Sequence, residues 1–192
     1  MIRATLVMLG MMTVFTGLVY PLATTVAARA LFPRQAGGSL ITDGGRVVGS
    51  TLIGQQFDEP RYFWGRLSAT GPFPYNAASS SGSNYGPHHP ELAKAMAARR
   101  ETLLAADPGN TAPIPMDLLT SSASGLDPDI SPEAAEYQAG RVAQARGLDE
   151  SRLRKLIARY TSARQFSVLG EPRVNVAALN RALDHEPQGD GK

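Results

Sequence analysis

The sequence predicts an α+β protein with one N-terminal transmembrane helix followed by a single mixed α+β soluble domain. Three observations carry this expectation. A charge-free apolar run fills the chain from Ala4 to Ala28. From Ser39 to about Thr70, β-branched and apolar residues recur between glycines, as short strands and tight turns require. From Pro90 onward, apolar residues return at helical spacing behind recognisable capping residues.

The first element lies between Arg3 and Arg29 and is dense in Leu, Val, Met, Phe and Ala. A helix needs ~20 apolar residues to cross ~30 Å of hydrocarbon, and this run is longer than that. Tyr20 suits the interface, and Pro21 is tolerated in a membrane helix. A cleaved signal peptide is the alternative, since small residues stand from Thr25 to Ala30. The ~7–15 apolar residues of such signals are fewer than are present here. Residues 1–32 therefore read as a short tail and a span over about 4–28, with 33–192 as the soluble domain. Arg3 and the α-amino group stand against Arg29 and Arg34, so flanking charge leaves the orientation open.

The soluble part begins with glycine-punctuated strands, clearest from Arg46 to Ile53. Residues 71–90 are rich in Pro, Asn, Ser and Gly and predict a long surface loop of the kind that often carries function. Pro90 then opens a helix whose Leu92, Ala95, Met96, Arg99 and Leu103 share a face until Asp107-Pro108. After a proline-rich connector to Pro115, Ser131-Pro132-Glu133 supplies an N-cap, a first-turn proline and an acid at the positive helix end. Gly147 closes that helix, and Asp149 caps the next, with Leu153, Leu156, Ile157 and Tyr160 on one face. A short strand is expected at Phe166 to Leu169 and a turn at Gly170 to Pro172. The last helix carries Val176, Leu179 and Leu183, with a frayed tail after Asp184.

Composition removes several classes of function. The net charge of +2 arises from scattered arginines, without the basic stripe that nucleic acid requires. Zero cysteines exclude disulfides, thiol nucleophiles and Cys-based zinc sites. The neighbours His88 and His89 lack a third ligand at metal spacing and read as loop or capping residues. Asp127-Pro128-Asp129 echoes a calcium loop, but the glycine and distal glutamate of that motif are missing. Ser79 to Asn84 resembles a phosphate loop only in composition, since it has no lysine and no strand-then-helix context. There is no G-x-S-x-G, and His185 falls in the expected tail, which disfavours a hydrolase. Tyr62, Phe63, Trp64 and Arg66 have the composition of an interface hot spot, with ordinary core packing of two of the rings as the alternative.

Blocks spread over nearly the whole chain carry a resemblance. They run from Thr16 to Leu22, Gly49 to Gln55, Tyr62 to Thr70, Pro74-Tyr75-Asn76 and Ser81 to Asn84. They continue through Ser122 to Pro128, Ile130 to Ala135, Arg141-Val142-Ala143, Ala145 to Leu148, and Leu169 to Val176 with Leu179-Asn180. In these blocks the chain resembles the C subunit of the Kdp potassium-transporting P-type ATPase of bacteria and archaea. It departs at Trp64 and Leu67, where that family more often has His and Pro.

The resemblance implies a non-catalytic accessory subunit of a high-affinity potassium uptake complex, anchored by one helix in the cell inner membrane, with its soluble domain extracytoplasmic. The implied partners are a channel-like potassium-binding subunit, an ATP-hydrolysing P-type subunit and a small membrane peptide, besides membrane lipid. No cofactor of its own is implied, and ATP enters only through the complex, whose nucleotide affinity such a subunit raises. A partner interface is expected to include Tyr62, Phe63, Trp64, Arg66, Asn76, Ser83 and Asn84. The rival reading is a free-standing membrane-anchored extracytoplasmic binding domain or enzyme.

Overall fold

A computed structural model describes residues 2–185. The chain begins with α1 (Ile2–Val14), a π-helical turn (Phe15–Val19) and α2 (Tyr20–Leu31). Together they form one helix, Ile2–Leu31, long and apolar enough to cross a membrane. Pro21 has no N–H and cannot continue the regular ladder. Just before it the ladder widens, so that the Tyr20 N–H donates to the Phe15 carbonyl. Three hydroxyls bond back onto the same helix: Thr16 to the Met12 carbonyl at 2.7 Å, Thr24 to Tyr20 at 3.0 Å and Thr25 to Pro21 at 2.7 Å. Their polarity is thereby satisfied within the helix, as hydrocarbon demands.

After α3 (Pro33–Ala36), β1 (Leu40–Asp43) and β2 (Arg46–Ser50) pair as an antiparallel hairpin. Its two-residue turn is Gly44-Gly45, both at positive φ, the geometry that matches strand twist and that glycine adopts without strain. The chain divides between Ser50 and Thr51 into two compact units. The hairpin groups with the first, and the described core residues all come from the second.

The second unit holds α4 (Pro90–Ala106), α5 (Met116–Leu119), α6 (Pro132–Arg146), α7 (Glu150–Tyr160) and α8 (Val176–His185). A small antiparallel sheet of β3 (Asp129–Ile130), β4 (Thr161–Ser162) and β5 (Arg173–Asn175) completes it, in the order β3-β5-β4. The expected caps are present. His89 accepts from the Glu91 N–H, Ser131 from Ala134, and Asp149 from Ser151, while Gly147 closes α6 in the left-handed conformation. α6 is the central helix, and Ala134, Ala135, Tyr137, Gln138, Ala139, Arg141, Val142 and Ala143 are all buried. Leu153 and Ile157 of α7 and Val176, Leu179 and Leu183 of α8 pack with them.

Two strand expectations need correction. No strand follows Ser50 until Asp129, because the extended segment around Phe63 and Trp64 pairs with side chains from helices and not with a neighbouring strand. Phe166 to Leu169 is a tight turn, with Phe166 and Ser167 at φ of 52° and 62°. The strands flank it at 161–162 and 173–175, and Val174, fully buried, is the residue that anchors the sheet. The last helix continues through His185; the tail expected after it falls on residues 186–192, outside the described residues.

Candidate functional site

The seven residues expected at an interface divide at Gly65 into two groups. The first group, Tyr62 to Trp64, is held by the helices. The Phe63 N–H donates to Asn180 Oδ1 at 2.8 Å, and its carbonyl accepts from Asn180 Nδ2 at 2.9 Å. Trp64 is bracketed in the same way by Gln138, at 2.8 Å and 3.1 Å. Two buried side-chain amides thus satisfy four backbone groups that would otherwise lose their water unpaired. Phe63 is 0% and Trp64 4% exposed, so both rings lie in the chain's own core, where the packing alternative put them.

Arginines complete this bracket. The Arg141 guanidinium lies over the Trp64 ring at 4.4 Å and donates to the carbonyls of Pro60 and Tyr62 and to Gln138 Oε1. Burial pushes its pKa down to about 10. Arg99 lies against the same ring at 5.3 Å and donates to the carbonyls of Gly65 and Leu118. Burial lowers its pKa too. Half-buried Tyr62 donates its hydroxyl to Asp184, which also pairs with Arg146 at 2.8 Å.

The second group sits in a hydroxyl-tied loop. Ser68 Oγ donates to the Gly125 carbonyl at 2.7 Å and accepts from the Tyr75 N–H at 2.9 Å. Thr70 Oγ1 donates to Phe73 O and accepts from the Asn76 N–H. Asn76, itself buried, donates to the Gly71 carbonyl at 2.7 Å and caps the turn Ala77–Ser79. Arg66 pairs with Asp127 at 3.0 Å and donates to Ser121 O, and Ser83 Oγ accepts from Ser121. Asn84 is exposed, in the left-handed conformation.

Tyr75 locks this loop to the segment before it. Its hydroxyl donates to the Arg66 carbonyl at 2.7 Å and lies 2.7 Å from where a Cβ on Gly65 would stand, and its ring lies 2.4 Å from where a Cβ on Gly54 would stand. Burial pushes its pKa up to about 12. Any side chain at those two glycines would displace the ring. The seven residues do not converge on one surface, and Arg99 joins the two groups by touching the Trp64 ring and the Gly65 carbonyl.

The loop leaves an outward groove of about 420 Å³ against α4, lined by Leu67, Ser83, Tyr85, Leu92, Arg99 and Ser121 among others. Phe73 and Tyr85 stand exposed on the same loop, and Tyr85 stacks on His89 at 4.6 Å. The N–H groups of Ser79 and Ser81 are committed to Asn76 O and Ser124 O, so they are not aimed at an anion. Asp127 Oδ1 accepts from the Asp129 N–H, a turn bond, and among the described residues no three His, Cys, Asp or Glu gather as metal ligands would. Sequence reasoning missed Gln138, Asn180, Arg141, Arg99 and Ser68, which act through partners far along the chain, and Tyr75, whose partners at Arg66 and Gly65 lie across a loop.

Comparison with known proteins gives a consistent result. The family described as KdpC, K+-transporting ATPase c chain, matches residues 2–185. The chain is 60% identical over 182 residues to the potassium-transporting ATPase KdpC subunit of Herpetosiphon aurantiacus, covering 95% of this chain and 94% of that protein. It is 60% identical over 183 residues to the corresponding subunit of Variovorax paradoxus, with 95% of each chain covered. To that of Sorangium cellulosum it is 57% identical, covering 95% and 96%.

Proposed function

The chain belongs to the KdpC family of K+-transporting ATPase c chains, and on that premise we propose that it is a non-catalytic accessory subunit that supports assembly of the complex and its affinity for ATP. Membrane association through one candidate spanning helix fits this family membership. The match over residues 2–185, spanning helix included, carries the proposal, because it takes in both compact units and not a fragment of one.

The soluble unit faces the extracytoplasmic side of the inner membrane and docks its loop face on the potassium-binding subunit. Arg66, Ser83 and Asn84 lie at that contact, with Phe73 and Tyr85 as exposed aromatics beside them. Phe63, Trp64 and Asn76 hold the face from behind. ATP bound by a cytoplasmic domain is out of reach of such a unit, so its effect on nucleotide affinity passes through the membrane as coupling between sites, typically worth ~1–3 kcal/mol. The small membrane peptide and the ATP-hydrolysing subunit complete the set of partners.

A gentle detergent pull-down of tagged full-length chain, with ATPase kinetics of complex prepared with and without it, tests the proposal. Multi-spanning partners are expected to co-purify, and omission is expected to raise the KM for ATP about tenfold, within the usual range of coupling energies. A complex that assembles and hydrolyses ATP with unchanged KM in its absence would overturn the accessory role. At residue level, Asn84→Gly, which keeps the left-handed backbone and removes the side chain, is expected to weaken retention of partners while leaving the melting temperature of the chain unchanged. Equal retention of partners by that variant would move the interface off the loop face.

A further inference from the structure

The stretch from Arg152 to Arg173 concentrates the positive charge of the chain. It holds six cations, Arg152, Arg154, Lys155, Arg159, Arg164 and Arg173, and one acid, Glu171, which leaves 13 Lys and Arg against 16 Asp and Glu elsewhere. Three of these cations, Arg152, Lys155 and Arg159, recur at i, i+3 and i+7 on the exposed side of α7. They rim a cleft of about 190 Å³ whose floor is apolar, from Leu148, Leu156 and Leu183.

The chain runs directly from α7 through β4 into the turn at 166–169. There Phe166 is 90%, Val168 73% and Leu169 57% exposed. Phe166 and Ser167 both adopt left-handed backbone, which costs a non-glycine residue free energy. The base of the turn is fixed by the Gln165 N–H donating to Leu169 O at 2.8 Å and by the Arg164–Glu171 ion pair. A strained, well-anchored turn thus holds three apolar side chains mostly in water, with little of their surface covered by the rest of the chain.

Arg154, Arg164 and Arg173 pair with acids of the same chain, and we propose that α7 and the 164–171 turn form a docking surface for anionic phospholipid, with Arg152, Lys155 and Arg159 on the headgroup phosphates and Phe166, Val168 and Leu169 entering the boundary with the acyl chains. Interfacial segments combine these two features, a cationic polar face and a short apolar wedge. Arg152 to Arg159 spreads charge along about 10 Å of helix, which suits a continuous array of headgroups better than a single protein socket. The inference rests on the reading of Ile2–Leu31 as a membrane span, which keeps the soluble unit tethered to a bilayer by the connection from Phe32 to Ser50.

The absence of cysteine allows a clean test. Full-length Ser167→Cys, labelled with an environment-sensitive fluorophore, is reconstituted into nanodiscs of zwitterionic lipid alone and of the same lipid with phosphatidylglycerol. The expected result is a blue-shifted probe, quenched by nitroxide lipid, in the anionic discs only and reversed by high salt. Lys155→Glu and Arg159→Glu, each with unchanged helical circular dichroism, are expected to lower the inserted fraction about fivefold or more per charge. Identical emission in both lipids overturns the proposal. A shift that appears only when the other ATPase subunits are present, whatever the lipid, overturns it as well and assigns the turn to a protein contact. Failure of the chain to co-elute with discs at all would instead count against the membrane-span reading.

Discussion

Two short segments that each carry bulky apolar side chains, 62–64 and 166–169, have opposite fates. Phe63 and Trp64 are sealed in the core, while Phe166 and Val168 are almost wholly in water. The difference lies in what meets the backbone. Phe63 and Trp64 find Asn180 and Gln138, which accept their N–H groups and donate to their carbonyls. The turn at 166–169 closes on itself, through Gln165 and Leu169, and no helix offers it a bracket. Apolar character alone does not bury a segment; the chain must also satisfy its peptide groups there.

The comparison breaks most severely at the amides. Asn180→Ala or Gln138→Ala leaves a buried N–H and carbonyl without partners and is expected to cost about 2–4 kcal/mol each. The fluorescence of Trp64, the only tryptophan, reports the urea unfolding that measures it. A loss under ~1 kcal/mol would mean that water replaces the bracket and that the segment is not sealed.

A second effect comes from Tyr75, whose pKa burial raises from 10.0 to about 12. A raised pKa means that its contribution is complete below the unfolded value and is lost as pH climbs through the folded one, so stability falls across pH 10 to 12, by up to ~2.7 kcal/mol. Arg141, pushed by burial down to about 10, acts in the opposite sense above pH 10. The difference between the parent and Tyr75→Phe isolates the tyrosine, and parallel alkaline slopes for the two would show that the ring is not sealed against Gly54 and Gly65. The smallest effect belongs to the exposed turn. Phe166→Ala is expected to change the stability of the chain by no more than ~0.5 kcal/mol in the same urea assay. A larger loss would show that the turn packs on something in its own chain.

The parts legible in the sequence were those written locally. The membrane-length run, the caps at His89, Ser131 and Asp149, the closing Gly147 and the α7 face of Leu153 and Ile157 follow from neighbours within one or two turns. The brackets were not legible, because Gln138 and Asn180 act 74 and 117 positions away from the residues they hold. Polar side chains in a helix look like surface until their partner is known. The strands escaped for a related reason: β3, β4 and β5 have two or three residues each, too few for alternation to register. The depth of Phe63 and Trp64 was not legible either, because it depends on helices far downstream.

The wide turn at Phe15–Val19 also sets a phase. A π turn inserts the equivalent of one residue, so the half of the rod before Phe15 is rotated by about 100° relative to an unbroken helix. Met8 and Leu22, fourteen positions apart, would nearly align on a regular helix and instead point about 140° apart. A neighbouring helix that follows one flank of α1 therefore loses that flank at α2. The rod turns two different sides outward along its length, and a regular ladder through 15–19 with every residue kept would bring them back into line.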